Sequence, residues 1–286
     1  MPLLYGFAEV VARIGYTLAP GVRANVWDNL RHVMPDAPKR KVRRAARAVF
    51  RNVAYYYADL AQLPQMDINQ FFRERLKYTG IEEYIRPQLA AGRGVVMLSA
   101  HVGCSEMAGQ ALIPLGIPCF AVTEPVKPER LARMLNEVRM SKGVVFMPVG
   151  VPAVKRIVRI LRSGGTVALM GDRDIHGPKM LLPFFGEETW LPTGPVEVAL
   201  RTGAAIVPSF SARRGRYVID AVAEEPIEIE RTDDFQADVK TAMLEFIKRM
   251  EARLRAEPEQ WLVFERLWDA GEAAGEPAKQ PETAAA

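Results

Sequence analysis

Hydrophobic positions recur every three or four residues through the first third of the chain. After Gly94 they give way to short, nearly continuous apolar runs. Near the N-terminus Leu4, Phe7, Val10, Val11, Ile14 and Leu18 fall on one helical face, with Glu9 and Arg13 interrupting the stretch. Those two charges argue against a spanning helix, which needs about 20 predominantly apolar residues. They leave an amphipathic helix that either lies in a membrane interface or packs on the protein's own core. A second helix is predicted from Pro38 to Gln62, ending at Pro64, and another from Ile81 to Ala91.

Beyond Gly94 the runs Val95–Ser99, Cys119–Thr123, Val144–Pro148, Thr166–Met170, Ile206–Phe210 and Tyr217–Ala221 read as strands. Helical patterns at Ser105–Leu115, Pro128–Ser141, Ala153–Ser163 and Thr193–Thr202 separate them, and a last helix is expected from Asp234 to Ala256. Apolar strands alternating with helices predict an α/β fold with a largely parallel central sheet flanked by helices, and a helical N-terminal region. We assign residues 1–92 to that region, membrane-facing and part of the same domain, and 93–270 to the α/β core. The small, polar, Pro-containing tail 271–286 is expected to be disordered.

Composition changes this picture little. The chain is 25% charged and 49% hydrophobic, ordinary for a folded protein, and its net charge of +4 does not call for nucleic acid. The charge is uneven, however: KRKVRRAARAVFR, which opens the second helix, holds seven basic residues among thirteen and no acid. Such a run is a solvated helix face by default, and its interleaving with Val42, Ala46, Val49 and Phe50 also suits acidic headgroups. Cys104 and Cys119 lack CxxC spacing and read as free thiols in a reducing compartment. No secretory signal is recognised, and the chain is expected to be a monomer.

The chemistry concentrates in GVVMLSAHVGCSEMAGQ, residues 94–110. His101 follows the strand Val95–Ser99, at the carboxyl end where α/β sheets gather functional groups. On a regular helix, residues five apart differ by about 140° in direction, so His101 and Glu106 can meet only if His101 lies in the turn and the helix begins near Ser105. Gly103 can supply the turn and Ser105 the cap. Glu106 would then hold one imidazole nitrogen and leave the other as a general base. A zinc site is poorly supported, since HExxH is absent and His32 and His176 have no convincing spacing to His101. Gly103-Cys104-Ser105-Glu106-Met107 lacks the last glycine of a GxSxG elbow. Cys104 as a nucleophile and a structurally satisfied His101 stay open on the residues alone.

His101-x4-Glu106 after an apolar strand resembles the first block of the lysophospholipid acyltransferase superfamily, usually HxxxxD. More closely, the chain is similar to the branch of lipid A biosynthesis (lauroyl/myristoyl) and phosphatidylinositol mannoside acyltransferases, which accepts Glu in the motif. The likeness runs from Tyr5 to Trp268 through GYTLAPGVRANVWDNLRHVMPD, VFRNVAYYYADLAQLP, LNEVRMSKGVVFMPVG, GTVALMGDRDIHGPKMLLPFFGEETWLPTGPVEVALRTGAAIVPSF and PEQWLVFERLW, in order.

The resemblance implies a glycerolipid-acyltransferase-like fold and no cofactor. It also implies acyl transfer from acyl-CoA or acyl-carrier protein to a hydroxyl of a membrane glycolipid or lysophospholipid. His101 would be the base and Glu106 its orienting carboxylate. Backbone N–H groups at Gly103 or Gly194 would serve the oxyanion. Arg139 would bind phosphate or else pair with Glu106 or Asp172. Asp172 and Asp174 would orient the acceptor hydroxyl or share in holding His101. Lys179 and Arg173 are weaker phosphate candidates, and Phe184, Phe185, Trp190 and Leu191 would wall an acyl channel or simply fill the core. The resemblance further implies a peripheral protein on the cytoplasmic face of the bacterial cell membrane, with the anionic surface as partner. Two alternatives compete: a metal-dependent glycosyltransferase using Asp172-x-Asp174, and a non-catalytic lipid-binding protein.

Overall fold

Prolines separate the first helices of the chain. Pro20 opens α2 (Pro20–Val33) directly behind α1 (Pro2–Leu18), and Pro38 precedes α3 (Lys39–Gln62). Asp67 then caps α4 (Ile68–Arg75) by accepting from the N–H groups of Asn69 and Gln70. The structure, a computed structural model, describes residues 2–124, 126–173 and 177–268. The expected disordered tail and Asp174 lie outside them.

A seven-stranded sheet follows. Its strands are β1 (Leu76–Thr79), β2 (Val95–Ser99), β3 (Cys119–Thr123), β4 (Val145–Pro148), β5 (Thr166–Met170), and, beyond the two hairpin strands β6 (Lys179–Phe184) and β7 (Glu187–Pro192), β8 (Ala205–Arg214) and β9 (Val218–Ala223). The order is β1-β9-β8-β2-β5-β3-β4, parallel throughout except for β8 against β9. The remaining helices are α5 (Arg86–Ala90), α6 (Ser105–Gln110), α7 (Glu129–Met140), α8 (Val151–Arg162), α9 (Gly194–Thr202) and α10 (Phe235–Ala256).

Every residue of β2 is buried, as its unbroken apolar run requires for a strand covered on both faces. The main core joins β2, β5 and β8 to α10 through Val96, Leu98, Val167, Phe210 and Phe246, and extends without a break to Leu30 and Val33 of α2 and Val42, Val49 and Phe50 of α3. All seven basic residues of Lys39–Arg51 are exposed, so this run is a solvated face on a helix whose other face is core. Among the described residues no helix is long and apolar enough to cross a membrane.

Several expectations need correcting. The helix expected over Ser105–Leu115 stops at Gln110 and continues as turns to Gly116. β1 was not expected, being four residues with a polar Lys77 and Thr79. The β6–β7 hairpin was also missed: its turn uses Phe185 at φ 52° and Gly186 at φ 85°. A Phe in that left-handed position is not a residue that signals a two-residue turn.

Candidate active site

The turn after β2 is fixed by backbone partners from two other parts of the chain. Val102 N–H donates to Ala100 O at 2.6 Å, which folds the chain tightly around His101. The closing segment lies antiparallel to this turn: Leu262 N–H donates to His101 O at 2.7 Å, and Gly103 N–H donates to Gln260 O at 2.8 Å. On the other side the Ser211 hydroxyl of β8 donates to Val102 O at 3.0 Å and accepts from Cys104 N–H at 2.9 Å. Gly103 sits at φ +68°, and a Cβ there would lie 2.2 Å from Ser211 O, so only glycine fits.

Strand register then supplies the partner of His101. β2 and β5 are adjacent and parallel with Ser99 opposite Met170, so His101 and Asp172, each two residues further on, emerge side by side. Gly171 N–H donates to Ser99 O at 2.8 Å, and Phe246 and Leu98 crowd the place of the missing Cβ. His101 Nδ1 is 2.9 Å from Asp172 Oδ1, and the backbone N–H of His101 donates to Asp172 Oδ2, also at 2.9 Å. Trp261 Nε1–H donates to the same Oδ2 at 3.1 Å.

Asp172 is wholly buried. Burial opposes its charge, but His101 and the donors from His101 and Trp261 outweigh that and hold its carboxyl below the usual range. For His101 burial likewise opposes charge, and Asp172 outweighs it, so the imidazole pKa lies above its ordinary 6.5. The His101 side chain remains 31% exposed, and among the described residues Nε2 has no hydrogen-bond partner. An imidazole held in this way presents an open, more basic nitrogen at the carboxyl end of the sheet.

Glu106 does lie in the first turn of α6, but it is not the carboxylate on Nδ1; that expectation is corrected. Its oxygens accept from Arg139 Nε at 3.1 and 3.2 Å, and from the Tyr56 hydroxyl. The reason is local: Nδ1 is already engaged by Asp172, and a buried carboxylate needs a cation. Burial opposes the charge of Arg139, but Glu106 outweighs it and keeps the guanidinium charged; burial also pushes the Tyr56 hydroxyl well above its ordinary value, so it stays protonated as a donor. Arg139 is therefore paired with Glu106, one of the two alternatives given for it, and α7 is tied to α6 and α3 through that pair.

The other expected site residues divide clearly. Asp172 joins His101, whereas Asp174 lies outside the described residues. The Gly103 N–H is engaged by Gln260, which removes it as an oxyanion donor. Gly194 begins α9 beside Pro178, and Lys179 is exposed at the start of β6. Arg173 pairs with Glu124 at 2.6 Å and with Glu265. Phe184 and Leu191 are fully buried core, while Trp190 is 44% exposed. Cys104 is buried, and burial pushes its thiol up to about 12, so it is no thiolate nucleophile. Tyr56 and Ser211 were not singled out from the sequence, Tyr56 standing within an aromatic run on a helix; Gln260-Trp261 is the Q-W pair that marks the quoted closing segment, to which no role was given.

The profile of the bacterial lipid A biosynthesis acyltransferase family matches residues 1–270. The chain is 28% identical over 220 residues to a protein named phosphatidylinositol mannoside acyltransferase from Mycobacterium tuberculosis, covering 74% of this chain and 66% of that protein, just under two thirds of its length. It is 29% identical over 243 residues to the protein of the same name from Mycolicibacterium smegmatis, covering 84% of this chain and 77% of that one.

Proposed function

The chain belongs to the bacterial lipid A biosynthesis acyltransferase family, and from that premise we propose that it transfers a fatty acyl group from an acyl thioester to a hydroxyl of a membrane glycolipid or lysophospholipid. The donor is acyl-CoA or acyl-carrier protein. The work is done peripherally, on the cytoplasmic face of the cell membrane.

The observation that carries this reading is the His101–Asp172 pair with Nε2 open. Asp172 accepts from Nδ1–H, fixing the tautomer that leaves a lone pair on Nε2. In the reaction Nε2 takes the acceptor's hydroxyl proton as the oxygen bonds to the thioester carbonyl carbon, and the carbonyl π pair moves to the oxyanion. Asp172 stabilises the imidazolium so formed. When the intermediate collapses, the C–S bond breaks, the thiolate leaves, and His101 returns the proton to sulfur. An alcohol is too weak a nucleophile to attack without such a base, whereas a thiolate leaves readily, so one base suffices and no acyl-enzyme is needed.

Glu106 and Arg139 support this centre from a distance, by holding the helix that follows the histidine turn. The glycosyltransferase alternative gains nothing from Asp172, whose oxygens already accept from His101 and Trp261.

The test is thiol release from palmitoyl-CoA, and in parallel from palmitoyl-carrier protein, with and without membrane lipid extract and with mass spectrometry of the lipids. We expect lipid-dependent release, a product heavier by one acyl chain, and loss of both in His101→Ala. An active His101→Ala variant would overturn the mechanism. Release from neither donor would overturn the acyltransferase reading in favour of lipid binding.

A further inference from the structure

The closing segment meets the histidine turn with more than its backbone. Val102 and Trp261 face each other as an isolated antiparallel pair. On one side of that pair Gln260 O accepts from Gly103 N–H, and on the other Leu262 N–H donates to His101 O. Bonds on both sides of Trp261 therefore fix where its side chain enters the fold. The indole is 2% exposed and lies edge-on to Phe184 of β6 and to Trp268, with ring centroids 5.8 and 6.1 Å away. From there its Nε1–H reaches Asp172 Oδ2 at 3.1 Å.

The two oxygens of Asp172 are thus loaded unequally. Oδ2 takes the indole and the backbone N–H of His101, while Oδ1 takes the ring nitrogen Nδ1. Two donors on one oxygen hold the carboxylate in the orientation that turns the other toward the imidazole. The indole suits this task chemically. It is a donor only, so it cannot take the proton that His101 handles. Its apolar body covers a carboxylate with no solvent contact, and in such a place each dipole acts strongly on its neighbours. The N–H points its positive end at the charge that stabilises the imidazolium, and so moderates that charge. The other charged groups felt by the imidazole are Arg173, next to Asp172 behind β5, which lowers its basicity, and Glu124, just beyond β3, which raises it. These two are paired with each other, so their effects oppose.

We propose that Trp261 is a positioning residue for the base, acting through Asp172: its N–H keeps the carboxylate turned to Nδ1 and restrains the charge that would otherwise hold the proton on His101 too tightly. The purpose of this device rests on the acyl transfer put forward above, but its effect on the imidazole exists without turnover.

Nitrogen-15 NMR of the full chain, labelled at histidine and without substrate, reads that effect directly. The chain has three histidines, and the signals that vanish in His101→Gln assign the one required. In the wild type His101 is expected to titrate above 6.5. Trp261→Phe keeps an aromatic ring in the core and removes the donor. It should move the titration to still higher pH, opposite in direction to Asp172→Asn, which removes the charge itself. Benzothienylalanine in place of Trp261 carries sulfur where indole has N–H; it should give the same shift with the packing kept. In the thiol-release assay both changes should lower kcat/KM about threefold or more on the acidic limb and less above it, because the base then sheds its proton only at higher pH. A packing defect alone would lower kcat/KM equally at every pH. Such a uniform loss, or a His101 titration that is unmoved or lowered in the benzothienylalanine protein, overturns the proposal. A titration that rises as expected in a protein with no turnover upholds the action of Trp261 on His101 and overturns the acyl-transfer reading instead.

Discussion

Among the described residues Asp172 is buried, accepts hydrogen bonds from the ring and backbone of His101 and from Trp261, and faces an imidazole whose other nitrogen is open. The sign of its effect on pH dependence can be worked out. Its own pKa is lowered, so its stabilising contribution is present above the unfolded carboxylate value of about 3.9 and is lost as pH falls through the folded value. That of His101 is raised, so its contribution is full below about 6.5 and is lost as pH rises through the folded value. The charged pair therefore stabilises the fold in the acidic range between those limits, whereas the proposed mechanism needs the neutral base at higher pH. The acidic limb of kcat/KM should fall above 6.5, the ordinary value for His101. Asp172→Asn should lower kcat by at least about a hundredfold and move the limb to lower pH, because the main opposition to burial at His101 is then removed. A limb left unmoved in that variant would remove Asp172 from this role. His101 stood out in the sequence because a histidine follows directly behind an apolar strand. Its partner was ranked wrongly because Glu106 is near in sequence, whereas Asp172 is near only through the pairing of β2 with β5. Those two strands are separated along the chain by β3 and β4, and no local pattern reports that they are neighbours.

The same principle holds one level up. Elements with a strong period were read well: β2, β3 and β5 occupy the expected ranges, and α3 and α10 lie within one residue of them. Short strands whose pairing is decided elsewhere, β1 and the β6–β7 hairpin, were not. α7 illustrates why periodicity alone does not reveal how an element is held. None of its residues is fully buried, and its firmest attachments are the Arg139–Glu106–Tyr56 cluster and the bond from Gln110 Nε2 to Arg139 O at 2.6 Å. Glu106→Gln removes the charge opposite a largely buried guanidinium. A cost of about 1–3 kcal/mol is expected, below the full penalty for a completely buried pair because Arg139 keeps some solvent contact. Thermal melting reads the global part, and amide exchange should show faster opening across residues 129–140. If exchange there is unchanged, Glu106 does not anchor α7, and its place in the motif has another cause.

At the scale of the whole molecule, the net charge of +4 conceals a strongly segregated distribution. Basic groups are solvated along α3, while Asp59, fully buried like Asp172, gathers partners from four directions. Tyr5 of α1 donates to it, Arg75 of α4 reaches it at 3.0 Å, Arg213 of β8 is bonded to its other oxygen, and the Cys104 thiol lies 3.9 Å from that same oxygen. This cluster links α1 to the strand that also positions the histidine turn through Ser211. Each link is cheap or costly according to what its loss leaves behind. Tyr5→Phe removes the donor to Asp59 and an acceptor of Arg75, while Asp59 keeps both arginines, and should cost about 0.5–1.5 kcal/mol. Asp59→Ala leaves Arg213 buried and unpaired and Arg75 with only partial solvent contact, and should cost about 3–5 kcal/mol. Denaturant titration of both variants gives the comparison. Similar small losses would mean that the arginines relax into solvent and that α1 is held by apolar packing and by the bonds of Glu9 to Tyr55 and Arg216. The expected large gap would mean that a buried charge centre fixes α1 to the body, so that α1 and the strand that positions the histidine turn sit on one rigid frame.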